Sequence, residues 1–177
     1  KELVQRAEND MLTGVLNKKT MEKRVSLMLK NRGDKYVIFY MVDLDNFKNV
    51  NDTLGHIYGD QAIVETAQCL NKVFANQDCI GRLGGDEFAV CVSYQAFDEQ
   101  GLLEFIGKKA QEICAGNRRT YTDNASSVSI TSSIGVAYAP DMGDSFTELY
   151  TQADCALYYS KANGKDQYHI YSPKDDN

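Results

Sequence analysis

The chain has 177 residues, 43% hydrophobic and 25% charged, with only 2 prolines, which excludes a disordered polymer and describes one folded globular domain. Its formal net charge of -6 argues against a nucleic-acid polymer as the main partner, because such binders carry a basic face. A nucleotide needs only a few local cations and a metal, and is compatible with that charge.

No apolar run reaches the roughly 18 residues that span a bilayer, so no direct membrane insertion is expected, and no signal peptide is visible. Cys69, Cys79, Cys91, Cys114 and Cys155 form no C-x-x-C pattern. They are expected to be reduced, mostly buried thiols rather than a disulfide framework or a zinc site. The chain starts at Lys1 rather than Met, as a piece of a longer protein would.

In chain order, KELVQRAEND (1–10) suits the end of a helix arriving from elsewhere, and MLTGVLNKKT (11–20) reads as a loop. MEKRVSLMLKNRG (21–33) predicts a helix closed by Gly33. YVIFYMV (36–42) is a continuous apolar run, as a central strand buried on both sides requires, and it ends in DLD (43–45). A short polar helix follows over 47–56. After Gly59, Asp60 could cap a further helix in which Ile63, Thr66, Ala67, Leu70 and Phe74 recur at three and four.

CIGRL (79–83) and FAVCV (88–92) flank Gly84, Gly85, Asp86 and Glu87. Paired glycines between strand-like runs predict a tight hairpin over 79–93, since glycine takes positive φ without steric cost. Leu102, Leu103, Ile106, Ala110, Ile113 and Cys114 mark an amphipathic helix. Val128, Ile130, Ser132, Ile134 and Val136 alternate as in a strand. Leu149, Ala153, Ala156, Leu157 and Ser160 give a last helix ended by Gly164, and QYHIY (167–171) a final strand. The order predicts an α+β fold: a ferredoxin-like βαββαβ core with a central antiparallel sheet, helices on its faces, an extra terminal strand and an N-terminal lead-in helix.

In that fold the first long strand and the hairpin can be neighbours. Asp43 and Asp45 at the strand end would then meet Asp86 and Glu87 at the hairpin tip. Like charges so gathered destabilise a fold unless a cation joins them. Oxygen ligands without His or Cys suit Mg²⁺ or Mn²⁺, which usually also hold substrate phosphates.

Five ordered blocks now carry a specific likeness: DMLTGVLNKK (10–19), DLDNFKNVNDTLGHIYGD (43–60), RLGGDEF (82–88), SSIGVA (132–137) and ADCALYYSKANGKDQY (153–168). The chain resembles the GGDEF-domain family, the bacterial diguanylate cyclases. The resemblance implies a palm of the nucleotidyl-cyclase type and a reaction in which two GTP become cyclic di-GMP and two pyrophosphates. It also implies Mg²⁺ (or Mn²⁺), a homodimer holding one GTP per domain, and an upstream sensory or regulatory domain. The expected setting is cytoplasmic, including the cytoplasmic part of a membrane-bound sensor. Residues 1–19 would be the lead-in helix and linker loop, 20–172 the catalytic domain and 173–177 a tail.

Carried over by position, Asp43 and Asp86 resemble metal ligands, with the Leu44 carbonyl and Glu87 beside them; Asp43, Asp86 and Glu87 are the expected catalytic acids. Asn51 and Asp60 match guanine contacts, a carboxylate and an amide that suit the donors of the guanine edge. For these two, a local Asx contact at Asn51 and an N-cap at Asp60 are the structural alternatives. Phe47 and Lys48 match the turn that offers backbone N–H groups to phosphates, and Lys161 and Lys165 the basic pair for the distal phosphates. Relatives usually carry Arg where Lys165 stands, and Lys lacks the bidentate fork. A product-binding Arg-x-x-Asp motif is degenerate here, since Asp78 is kept but Ala75 replaces the arginine. The competing reading is a catalytically silent domain that binds GTP and regulates.

Overall fold

The computed structural model describes Leu3 and residues 7–176. Most of the lead-in helix expected over 1–10 lies outside the described residues, although Leu3, Ala7 and Glu8 are helical. Seven strands among the described residues form one sheet: β1 (Leu16–Asn17), β2 (Tyr36–Asp45), β3 (Cys79–Gly84), β4 (Glu87–Tyr94), β5 (Arg119–Thr122), β6 (Ser127–Ala139) and β7 (Tyr168–Ile170). The helices are α1 (Lys18–Lys30), α2 (Phe47–Leu54), α3 (His56–Val73), α4 (Glu99–Asn117) and α5 (Phe146–Ala162).

The strand order is β1-β3-β4-β2-β6-β5, with β7 parallel beside β6. The core β2-α3-β3-β4-α4-β6 is the expected βαββαβ unit, and β2 lies between β4 and β6, antiparallel to both. Every residue of β2 after Tyr36 is buried, which is why residues 36–42 are continuously apolar rather than alternating. Ile38, Tyr40 and Val42 face α3 and α4, against Ile63, Leu70, Ile106 and Ile113. Val37, Phe39 and Met41 face α1 and α5, against Met21, Val25, Leu149 and Leu157. Helices therefore cover both faces, and burial on both sides fixes the register of β2.

Several boundaries differ from the sequence reading. The loop read over 11–20 contains β1, paired parallel with β3, and α1 begins at Lys18 because the Asn17 side chain accepts a hydrogen bond from the Thr20 N–H. The helix ends at Lys30, with Asn31 as its C-cap, so Gly33 lies beyond it. Asp60 is not an N-cap: α3 already starts at His56, and Gly55 joins it directly to α2. Strand β5 escaped notice because it is four residues long and is recruited by β6. All five cysteines are free thiols; Cys69, Cys91 and Cys114 are buried and Cys79 and Cys155 half-buried.

Candidate active site

The end of β2 and the tip of the β3–β4 hairpin meet by direct pairing. Asp43 is the strand partner of Glu87 on one side and of Ser133 on the other. The turn itself needs Gly84 at φ 147° and Gly85 at φ 50°, values that cost an L side chain strain. The buried Leu44 lies between the two aspartates of the strand, and its N–H donates to the Asp86 carbonyl at 3.3 Å.

The electrostatics of this meeting are unfavourable for bare acids. Asp43 is 8% exposed, and its Oδ1 is buried with no hydrogen-bond partner. Its Oδ2 accepts from the Lys161 ammonium, which reaches over from the last turn of α5. Burial, and next the Asp43 charge, push the Asp86 carboxyl up to about 7. Burial and the charges of Asp43 and Asp154 raise Glu87 as well. Burial disfavours the Lys161 cation, yet the contact with Asp43 and the neighbouring acids hold it above its ordinary value.

Asp45 does not join this group. It accepts from Thr131 Oγ1 at 2.6 Å, Ser133 Oγ at 2.7 Å and the Asp166 N–H at 3.2 Å, so its charge is spent on β6 and the loop after α5. Nor do the three remaining acids already form a closed cage: among the described residues, no three Asp, Glu, His or Cys side chains are gathered as an ion requires. The orphaned Asp43 Oδ1 and the mutual repulsion with Asp86 nevertheless fit a divalent cation, because both are relieved by a positive charge with open coordination positions.

Asn51 sits in α2 and is half-buried, with its amide against α3. A Cβ added at Gly59 would come within 1.8 Å of Asn51 Oδ1, so the Asn51 amide keeps this position only while residue 59 has no side chain. Asp60, the next residue, is exposed in the second turn of α3, beside that crossing. Phe47 opens α2 after Asn46, which is left-handed at φ 67° and donates its side-chain amide to the Ser129 carbonyl. The first N–H groups of a helix have no partner within it, which leaves those of Phe47 and Lys48 unclaimed by α2. The Phe47 ring packs on the core, and Lys48 is exposed. Lys165 is exposed in the loop after α5, with φ 62°, and its N–H donates to the Ser160 carbonyl.

Asp78 is consumed locally, accepting from the Ala75 N–H at 3.0 Å. It lines a cavity of about 350 Å³ with Ala75, Asn76 and Arg24.

Sequence reading missed two groups around the tip. Lys18, Tyr150 and Asp154 surround Glu87: Tyr150 is raised by burial and then by Glu87 and Asp154, and the Lys18 ammonium lies 5.7 Å from the Tyr150 ring centre. Arg82 clamps the turn from behind. Its Nε donates to the Gly85 carbonyl at 2.8 Å and its Nη1 reaches both Asp10 oxygens at 3.2 and 3.3 Å. Only the presence of Lys18, Arg82 and Asp154 within the quoted blocks could have pointed to them.

A palm-type sheet carrying acids at a strand end and a hairpin tip defines the class. Residues 7–167 match the family model described as the diguanylate cyclase GGDEF domain. The chain belongs to the GGDEF-domain family. It is 33% identical over 97% of its length to MucR of Pseudomonas aeruginosa, a bifunctional diguanylate cyclase and cyclic di-GMP phosphodiesterase, and 30% identical over 95% to the cyclic di-GMP phosphodiesterase PdeR of Escherichia coli. It spans 24% of each of those two proteins. The GGDEF domain of TpbB (YfiN) from Pseudomonas aeruginosa superposes with TM-score 0.85 at 30% identity, covering 95% of this chain and 96% of that one. No helix among the described residues is long and apolar enough to cross a membrane.

Proposed function

We propose that the chain is the catalytic domain of a diguanylate cyclase, condensing two GTP into cyclic di-GMP and two pyrophosphates across a homodimer. The carrying observation is the strand pairing that sets Asp43 opposite Glu87 and places Asp86 within its field. Asp43, Asp86, Glu87 and the Leu44 carbonyl would hold Mg²⁺ or Mn²⁺. Such an ion supplies Lewis-acid stabilisation of charge on the α-phosphate and lowers the pKa of an attacking 3′-hydroxyl.

The remaining residues bind and orient. Asn51, whose amide lies against Gly59, and the next residue Asp60 suit the guanine edge: the carboxylate would accept from N1–H and N2–H₂, and adenine lacks that pair of donors. The N–H groups of Phe47 and Lys48 at the start of α2 would donate to phosphate oxygens, with Lys161 and Lys165 supplying positive charge. Residues 20–172 form the catalytic unit in this reading, with 1–19 as the lead-in and 173–177 as a tail. An upstream sensory domain would set the dimer population, and a GTP substrate would suit a cytoplasmic setting. With Ala75 in place of an arginine and Asp78 tied into its own turn, tight product inhibition at that motif is not expected.

A silent regulatory domain is the second reading, favoured by the phosphodiesterase assigned to PdeR and by Lys165 where relatives usually have Arg. Incubation with GTP and Mg²⁺, followed by chromatography, separates the two. Cyclic di-GMP from the unaltered chain and none from Asp86→Ala supports the enzyme; GTP binding without product supports the regulator.

A further inference from the structure

We propose that Lys161 is a built-in counter-ion for Asp43, which a divalent cation must displace. Bare metal then binds the nucleotide-free site poorly, and metal and triphosphate bind together. The inference rests on the reading of the site given above.

Asp43 is a buried carboxylate with one oxygen paired to Lys161 and the other without a partner. Removing such a charge from water is costly unless a positive group sits beside it. Lys161 is its ion-pair partner among the described residues. The same carboxylate is the most buried of the three acids proposed as metal ligands. A dication on the unpartnered Oδ1 and an ammonium on Oδ2 would lie within a few ångström of each other and repel in a half-buried site. Metal binding therefore works against the lysine's place on Asp43.

The lysine is able to leave. Its side chain is 39% exposed, whereas that of Asp43 is 11% exposed, so the mobile partner is the solvated one. A four-carbon stem lets the ammonium swing without moving α5. The other acids near it offer no free alternative once a metal binds: Asp86 and Glu87 are themselves proposed metal ligands, and Asp45 is taken up by Thr131, Ser133 and Asp166. A triphosphate beside the site provides one. Each ligand then lowers the cost of binding the other, and the coupling is reciprocal.

The test uses Mn²⁺ as the probe, with free ion counted by electron paramagnetic resonance, on the 177-residue chain with and without α,β-methylene GTP. Lys161→Met should bind Mn²⁺ without nucleotide about 5- to 10-fold more tightly than the unaltered chain. The gain in Mn²⁺ affinity on adding the analogue should shrink by the same factor. Lys161→Arg keeps the charge and should behave like the unaltered chain. Melting curves check folding, and Lys161→Gln replaces the Met variant if that variant unfolds. Nucleotide-free Mn²⁺ binding that is unchanged or weaker in the charge-removed variant overturns the inference, as does equal tightening in Lys161→Arg. Cyclic di-GMP formation is scored separately. Tightened Mn²⁺ binding in the variant with no product from the unaltered chain would overturn the enzyme reading alone, and product from the unaltered chain without that tightening the counter-ion alone.

Discussion

Asp86 carries a cost that the fold accepts for the sake of its site. Its carboxyl is pushed up to about 7 by burial and by Asp43, from an ordinary value of 3.8. A group that holds its proton more tightly when folded stabilises the fold fully below the unfolded value, and that stability drains away as pH rises through the folded one. The metal-free protein should therefore lose stability through this residue between about pH 4 and pH 7. Asp86→Asn should remove that slope and raise the metal-free stability at pH 8 by about 1 kcal/mol, a figure kept small by solvent screening at a half-exposed side chain. Urea unfolding at several pH values in the presence of a chelator measures it. An Asn variant less stable than the parent at pH 8 would show that Asp86 is held by favourable partners instead. Much of this residue-level picture was legible, because acids at a strand end and beside paired glycines need a shared partner. The Asp43–Lys161 contact was not, since it joins positions 118 residues apart and depends on how α5 lies over the sheet.

The hairpin β3–β4 is the element that presents the acids, and Arg82 is what steadies it. That guanidinium ties the Gly85 carbonyl to Asp10, whose carboxylate also accepts from the Thr13 N–H and hydroxyl at 3.0 and 2.7 Å. The turn that leads into the domain is thereby fastened to the tip that carries Asp86. Arg82→Ala should cost about 1–3 kcal/mol in urea unfolding, since it strips a partly buried carboxylate of its charged partner. Product formation should fall further than GTP binding, because the tip loses its position rather than the pocket its contacts. Equal losses in both would assign Arg82 to general stability. The long elements were legible from period and from the double-sided burial of β2. The two-residue β1 and four-residue β5 were not, because strands so short are defined by their partners β3 and β6 and not by their own residues. Asp60 is not the cap because Gly55 lets α3 begin five residues earlier than the charge pattern suggests.

At the scale of the whole molecule, one domain offers one set of acids and one α2–α3 crossing, whereas cyclic di-GMP needs two nucleotides joined head to tail. In the proposed reaction, catalysis would depend on aligning two domains, and alignment of bound reactants is worth a large part of a reaction barrier. Product formed per domain should rise in proportion to protein concentration until the dimer saturates. A rate per domain that is independent of concentration, in a sample that sedimentation shows to be monomeric, would contradict a two-domain reaction. The family blocks run from 10 to 168 in order, and the family they indicated is the one whose model matches residues 7–167. The partner face was not legible, because no sequence periodicity marks it.

The most direct measurement is a crystal of this chain grown with α,β-methylene GTP and Mn²⁺, examined by anomalous scattering at the manganese edge. The account predicts a manganese peak touching the carboxylates of Asp43 and Asp86, with Lys161 turned from Asp43 toward phosphate. A triphosphate bound elsewhere, with Asp43 still paired to Lys161 and no metal beside it, would contradict it.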